Sequence, residues 1–233
     1  CYLLDAKTLE VVRKLPHRTE LTGVGFASDR TVVVSAKLDA SAEASVFFWD
    51  TNSGKRIRSL GDTKLNTFGL IVSPDGSQLA VRLDGNAVRH YTVKNNARIG
   101  LPAPGKDPCH NLSFSPDSRL LAICNGPTIH HLQFAEGRVS LAGKNLSVDG
   151  SHATAVEYLP EGKMILSGHS DGQLVLRPVG SDRTTAKFSG HRGPITAIQI
   201  ADDGQRAASS GKDGTARIWN LATGKATHVL EGH

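Results

Sequence analysis

Residues 190–225 read GHRGPITAIQIADDGQRAASSGKDGTARIWNLATGK. The stretch opens on Gly190-His191, alternates through Ile195, Ile198 and Ile200, and turns at Asp202-Asp203-Gly204. It closes through Ser209, Asp213-Gly214 and Ile218-Trp219-Asn220. Alternation puts one set of side chains on one face of a strand, so a strand–turn–strand hairpin is predicted, with a third strand ending near Asn220. A polar turn, Leu221-Ala222-Thr223-Gly224-Lys225, then leads into a fourth strand over Ala226–Leu230. Working outward, the same pieces return upstream. Asp29, Asp75, Asp117, Glu161 and Asp203 occupy equivalent turns, 46, 42, 44 and 42 residues apart. In Ser73-Pro74-Asp75-Gly76 and Ser115-Pro116-Asp117-Ser118, proline presets φ while Asp and Gly accept the positions that follow. A fixed period of this length points to a stacked or ring-shaped array of small sheets, not to one continuous core.

A second marker is the end of the third strand, where Asp5, Asp50, Tyr91, Gln133, Pro178 and Asn220 align. After Asp50 comes Thr51-Asn52-Ser53-Gly54-Lys55, and a fourth strand follows over Arg56–Leu60. Four short strands per unit, with turn signals every few residues and no stretch of helical period, predict an all-β chain.

Gly190-His191, Ser209, Asp213 and Trp219-Asn220 resemble the Gly-His…Trp-Asp signature of WD-repeat β-propellers, and Phe48-Trp49-Asp50 repeats its end. The resemblance implies a β-propeller of four-stranded antiparallel blades, five repeats plus part of a sixth. The expected repeats run over 17–60, 61–102, 103–143, 144–188 and 189–233, with 1–16 as the tail of a preceding blade. Glu231-Gly232-His233 resembles the opening of a further unit, so a piece of a six- or seven-bladed ring is expected in preference to a complete five-bladed one. The middle units are degenerate, with the Trp replaced by His90, Leu132 and Arg177. The resemblance also implies a bracing hydrogen-bond chain through Trp219, Ser209, His191 and Asp213. Only the last unit holds all four; the fourth keeps Ser167 and Asp171 but lacks the His and the Trp.

Composition narrows the function. There are 27 Lys and Arg against 22 Asp and Glu, for a net charge of +5, and they are scattered, with aromatics at 5%. This is the pattern of a solvated surface, and nucleic acid is not expected as a partner. No apolar stretch is long enough to span a membrane. Three cysteines, Cys1, Cys109 and Cys124, form no framework and favour a reducing, cytoplasmic compartment. Gly168-His169-Ser170-Asp171-Gly172 fits the nucleophile-elbow pattern, but Leu174-Val175-Leu176 after it is a strand where that motif needs a helix. His130 and His131 are adjacent and point to opposite faces of a strand, and the remaining histidines lack metal-ligand spacing. The sequons at Asn111 and Asn145 are short patterns that carry meaning only in a secreted context. No catalytic residue, cofactor, metal or small-molecule substrate is expected.

The expected function is a non-catalytic scaffold binding other proteins or peptides. The alternative is a sensor or docking module of a larger enzyme such as a bacterial protein kinase. A propeller enzyme would need acids or metal ligands on the innermost strands, which read as apolar through Val24, Leu70, Leu112, Val156 and Ile198. In the family, partners dock on the loops entering strand one and on the turns between strands two and three. Mapped here, the strand-one positions are Glu20, Thr22, Asn66, Phe68, Pro108, His110, His152, Thr154, Pro194 and Thr196. The turn positions are Leu83, Ser170 and Lys212. Phe68 is the preferred anchor because aromatics are enriched at binding hot spots, the competing reading being that it packs within its own blade. The longer second turn over 37–44 reads as a tolerated insertion.

Overall fold

A computed structural model describes residues 1–17, 19–37, 46–60, 66–83, 87–95, 97–99, 107, 109–135, 138–143, 145–147 and 150–232. Every regular element among them is a strand, and the fold is that of β-propeller blades. Two compact units divide the chain, residues 1–101 and 102–233.

The first unit begins with a two-stranded hairpin, β1 (Tyr2–Leu4) and β2 (Val11–Lys14). One four-stranded sheet follows in the order β3 (Leu21–Ser28), β4 (Thr31–Ala36), β5 (Val46–Asp50), β6 (Arg56–Ser59). The next sheet contains β7 (Thr67–Val72), β8 (Gln78–Leu83), β9 (Val88–Thr92) and β10 (Arg98–Ile99). The second unit holds three sheets. The first is β11 (Cys109–Phe114), β12 (Leu120–Asn125), β13 (Thr128–Ala135) and β14 (Arg138–Leu141), with β15 (Leu146–Ser147) also paired to β13. Then come β16 (Ala153–Tyr158), β17 (Met164–His169), β18 (Leu174–Pro178) and β19 (Ala186–Phe188). Last are β20 (Ile195–Ile200), β21 (Arg206–Gly211), β22 (Ala216–Asn220) and β23 (Lys225–Leu230). The pairings are antiparallel and, apart from β13 with β15, join strands consecutive in the chain, as short turns between neighbouring strands allow.

The Pro-Asp-Gly turns work as their chemistry dictates. Ser73 Oγ donates to Asp75 Oδ1 at 2.6 Å and accepts from Gln78 N at 2.9 Å, closing the hairpin on itself. Gly76 takes φ +72°, and a Cβ there would lie 1.9 Å from the Ala27 carbonyl oxygen, so only glycine fits. In the third sheet Ser115 and Asp117 repeat the bond at 2.6 Å.

Between the sheets lie the cores. In the first unit Phe48, Leu70, Leu79, Val81, Leu83 and Tyr91 form one cluster, and Leu15, Val32, Val34 and Trp49 another. In the second, Trp219 meets Phe188 edge-on at 6.0 Å among Leu174, Leu176, Ile195 and Ile200. Each such large side chain contributes about 1.5–3 kcal/mol by leaving water. Tyr158 joins Ile129, Val156 and Ile165 in a further cluster, where its hydroxyl meets His131 Nδ1 at 2.8 Å.

The strand register corrects one alignment. Thr31 pairs Asp50 and Val32 pairs Trp49, whereas in the next sheet Gln78 pairs Thr92 and Leu79 pairs Tyr91. Tyr91, not His90, therefore stands in the tryptophan position, and Thr92 stands where Asp50 ends the sheet before. The slip is a single residue, and in a strand that moves a side chain to the opposite face.

Candidate protein-interaction face

The first strand of each four-stranded blade carries the same irregularity two residues from its start. In the first unit the register passes from Leu21↔Ala36 to Gly23↔Ser35, and from Thr67↔Leu83 to Gly69↔Arg82. In the second it passes from Cys109↔Asn125 to Asn111↔Cys124, from Ala153↔His169 to Ala155↔Gly168, and from Ile195↔Gly211 to Ala197↔Ser210. The residues left without a ladder partner are Thr22, Phe68, His110, Thr154 and Thr196. A β-bulge inserts one extra residue, bends the strand and re-aims the side chain it frees. Five of the thirteen face positions read from the sequence are thus bulge residues, a property of register that no residue pattern displayed.

The bulges are held by the adjacent strand. Thr196 Oγ1 meets Ser210 Oγ at 2.7 Å, and Thr22 Oγ1 meets Ser35 Oγ at 2.9 Å from the matching position. Thr22 also reaches Thr67 Oγ1 at 2.8 Å, which donates to the Ala36 carbonyl. Where the matching residue is Gly168, Thr154 Oγ1 donates to its carbonyl at 3.1 Å. Where it is Arg82, the guanidinium donates to the Phe68 carbonyl at 2.8 Å, leaving the Phe68 ring half exposed. His110 is half-buried.

The turn after the second strand is tied to the residue before the first. Lys37 N donates to Glu20 O, Ser170 N to His152 O and Lys212 N to Pro194 O, each at 2.9 Å. Ser170 Oγ also accepts from His152 N at 3.0 Å. Glu20 is exposed and paired with Lys37 Nζ at 2.6 Å; Asn66, His152 and Lys212 are exposed, and Pro194 is partly so. Pro108 and most of the longer second turn, 38–45, lie outside the described residues. Leu83 does not belong to the face. It is 1% exposed and packs in the core, because the register aligns it with Ala36, His169 and Gly211, the last residues of their strands. The matching turn position is residue 84, outside the described residues.

Beneath the last blade's share of the face, four polar side chains come together in series. Trp219 Nε1 donates to Ser209 Oγ at 2.8 Å, Ser209 Oγ meets His191 Nε2 at 2.8 Å, and His191 Nδ1 meets Asp213 Oδ1 and Oδ2 at 3.0 Å. Asp213 further accepts Arg192 N, Thr215 N and Thr215 Oγ1. Burial works against its charge, but these donors outweigh it and hold the carboxyl well below the usual range.

The other blades vary this theme in ways the sequence motif does not show. In the fourth, Ser167 Oγ meets His169 Nε2 at 2.9 Å, so the imidazole comes from the same strand, and Arg177 lies buried in the tryptophan position. Burial, with Arg177 nearby, lowers the His169 pKa to about 4. In the first, His17 and Trp49 both remain, their rings 4.9 Å apart and edge-on. The hydroxyl between them is gone, since Val34 occupies the Ser209 position. Trp49 Nε1 and His17 Nε2 have no hydrogen-bond partner among the described residues.

Comparison with known proteins agrees with the blade architecture. The family model described as WD domain, G-beta repeat matches residues 182–220. The chain is 28% identical over 188 residues to the SIR4-interacting protein SIF2 of Saccharomyces cerevisiae, covering 75% of this chain and 35% of that protein. It is 23% identical over 183 residues to Autophagy-related protein 16 of Arabidopsis thaliana, covering 78% and 35%. Small ribosomal subunit protein RACK1y of Oryza sativa subsp. japonica is 33% identical over 72 residues, covering 31% and 21%. The chain spans about a third or less of the length of these curated relatives.

Proposed function

We propose that this chain, a WD-repeat protein, is an interaction scaffold that binds other proteins or peptides through the bulged strand starts and the turns tied to them, and performs no chemistry of its own. The repeated bulge carries the reading. It frees one side chain per blade from the ladder at the same place, on rigid strands, and leaves the pairing intact on both sides. Rigid frames that present variable side chains are how repeat scaffolds achieve recognition. Phe68 in the first unit offers exposed aromatic area, while Thr154, Thr196, Ser170 and Lys212 in the second offer hydroxyls and charge. The relative described as SIR4-interacting is a protein whose name records a protein partner.

The test is capture of cross-linked partners by the chain as it stands, with substitutions on the face and away from it. Phe68→Ala with Lys212→Glu, and separately Thr154→Trp with Thr196→Trp, are expected to abolish capture. Lys225→Glu with Val229→Arg, on the exposed outer strand β23, is expected to leave it intact. If the outer-strand variant alone loses partners, the face is wrongly placed.

A further inference from the structure

We propose that the segment docking on the second unit is an acidic stretch of polypeptide, whose carboxylates seat on Arg192 and Lys212; this rests on the interaction-face reading above. Two backbone-level bonds draw the two residues together. Arg192 N donates to Asp213 Oδ2 at 2.9 Å, and Lys212 N donates to Pro194 O at 2.9 Å. Residues 192–194 therefore lie along 212–213, and a Cβ on Gly193 would stand 3.8 Å from the Lys212 side chain. Both cationic side chains are exposed, and neither has an acidic partner among the described residues. Arg217 adds a third, partly exposed cation: its guanidinium lies beside Gly190 and its Nε donates to Thr215.

Asp213 accepts from Arg192 N and from both donors of Thr215 and meets His191, so its oxygens are engaged inside the blade and it makes no ion pair with the Arg192 or Lys212 side chain among the described residues. Asp171, on the turn whose Gly172 packs against His191 and Gly193, is exposed and accepts Gln173 N. Like-charged side chains left unpaired around an acid already engaged attract a segment of opposite sign and repel a basic one. Beside them stand the Thr196–Ser210 hydroxyl pair and Ser170, which can donate to carboxylates or to a backbone. No aromatic side chain is exposed beside the cations in the described part of this face, since Trp219 and Phe188 are buried. The surface therefore suits a peptide better than stacked bases.

The probe is a short fluorescein-labelled peptide of alternating Glu and Gly, followed by anisotropy with the whole chain. A Lys–Gly peptide and an oligothymidylate of matching length serve as comparisons. The Glu–Gly peptide is expected to bind and to weaken as salt rises past the point where exposed charges are screened. Arg192→Glu with Lys212→Glu should weaken it about tenfold or more. Both side chains point to solvent, and the bonds at these residues come from backbone N–H groups, so thermal melting should be unchanged. Three results overturn the proposal: no binding of the Glu–Gly peptide, binding indifferent to the double reversal, or tighter oligothymidylate binding that the reversal removes. Thr154→Trp with Thr196→Trp, read by partner capture, separates the two levels. If it abolishes capture while the charge reversal does not, the face stands and the acidic class falls. If neither variant affects capture, both fall.

Discussion

Ser209 illustrates how much one hydroxyl can hold. It accepts from the Trp219 indole and meets His191, so its loss leaves two buried nitrogens unsatisfied at once. Ser209→Ala should cost about 2–4 kcal/mol in urea denaturation, more than a typical single hydrogen bond. The first blade supplies the converse experiment. Val34 takes the register position of Ser209, and the nearby His17 Nε2 and Trp49 Nε1, on rings in contact, have no partner among the described residues. Val34→Ser replaces buried methyls with a hydroxyl, ordinarily a loss, but here it meets a waiting donor. It should be at least about 1 kcal/mol less damaging than Val33→Ser, whose side chain sits in the apolar cluster of the first unit. Equal losses in the two variants would show that the pocket around Val34 does not have the Ser209 geometry.

Among the elements, the first strand of each blade carries a bulge near its start, and these bulges supply the proposed face. Thr196→Trp should cost at most about 1 kcal/mol by thermal melting, because the side chain lies outside the ladder and is exposed and loses only its hydroxyl bond to Ser210. Deleting Thr196 should keep the register, because Ile195 and Ala197 already pair with the adjacent residues Gly211 and Ser210, and should cost chiefly the bulge and its share of the proposed face. Leu83→Ala should cost about 2–5 kcal/mol in denaturation, and should not affect partner capture at a temperature where the variant stays folded. The sequence showed the hairpins clearly, because Pro-Asp-Gly turns and alternation are local signals. It misplaced Leu83 and the tryptophan position of the second blade by one residue for a common reason. Tyr91 is aromatic and was aligned with Asp50, while register depends on pairing across strands, which a single strand does not display. The bulges are invisible in the sequence for the same reason, although the residues they free fall at mapped face positions. His169 lies outside the motif because it reaches Ser167 from two residues along the same strand, where the familiar pattern supplies the imidazole from the preceding loop.

At the scale of each whole unit, repeat architecture makes stability a sum of blades and the seams between neighbours. In the second unit one seam titrates. Glu157 of β16 accepts Ile200 N at 3.1 Å and Gln199 Nε2 at 2.9 Å from β20, and burial raises its pKa to about 7. The folded chain holds this proton more tightly than the unfolded one, so its stabilising contribution is full below about pH 4.5 and is lost as pH rises through 7. Buried His131 and His169 act in the opposite sense. Their pKa values, lowered to about 4 chiefly by burial, make the fold lose stability as pH falls from 6.5 toward 4. Melting temperatures measured from pH 5 to pH 8 should therefore show Glu157→Gln gaining on the parent as pH rises. A constant difference across that range would mean the carboxylate is ionised throughout. The bulges have a further consequence for adaptation. Ladder pairing resumes on either side of each freed residue, so positions 22, 68, 110, 154 and 196 can be rewritten without renegotiating the frame that presents them. A library randomised at those five codons should yield binders to new targets that melt within a few degrees of the parent, with Thr22 among the less permissive because its hydroxyl bonds both Ser35 in its own blade and Thr67 in the next.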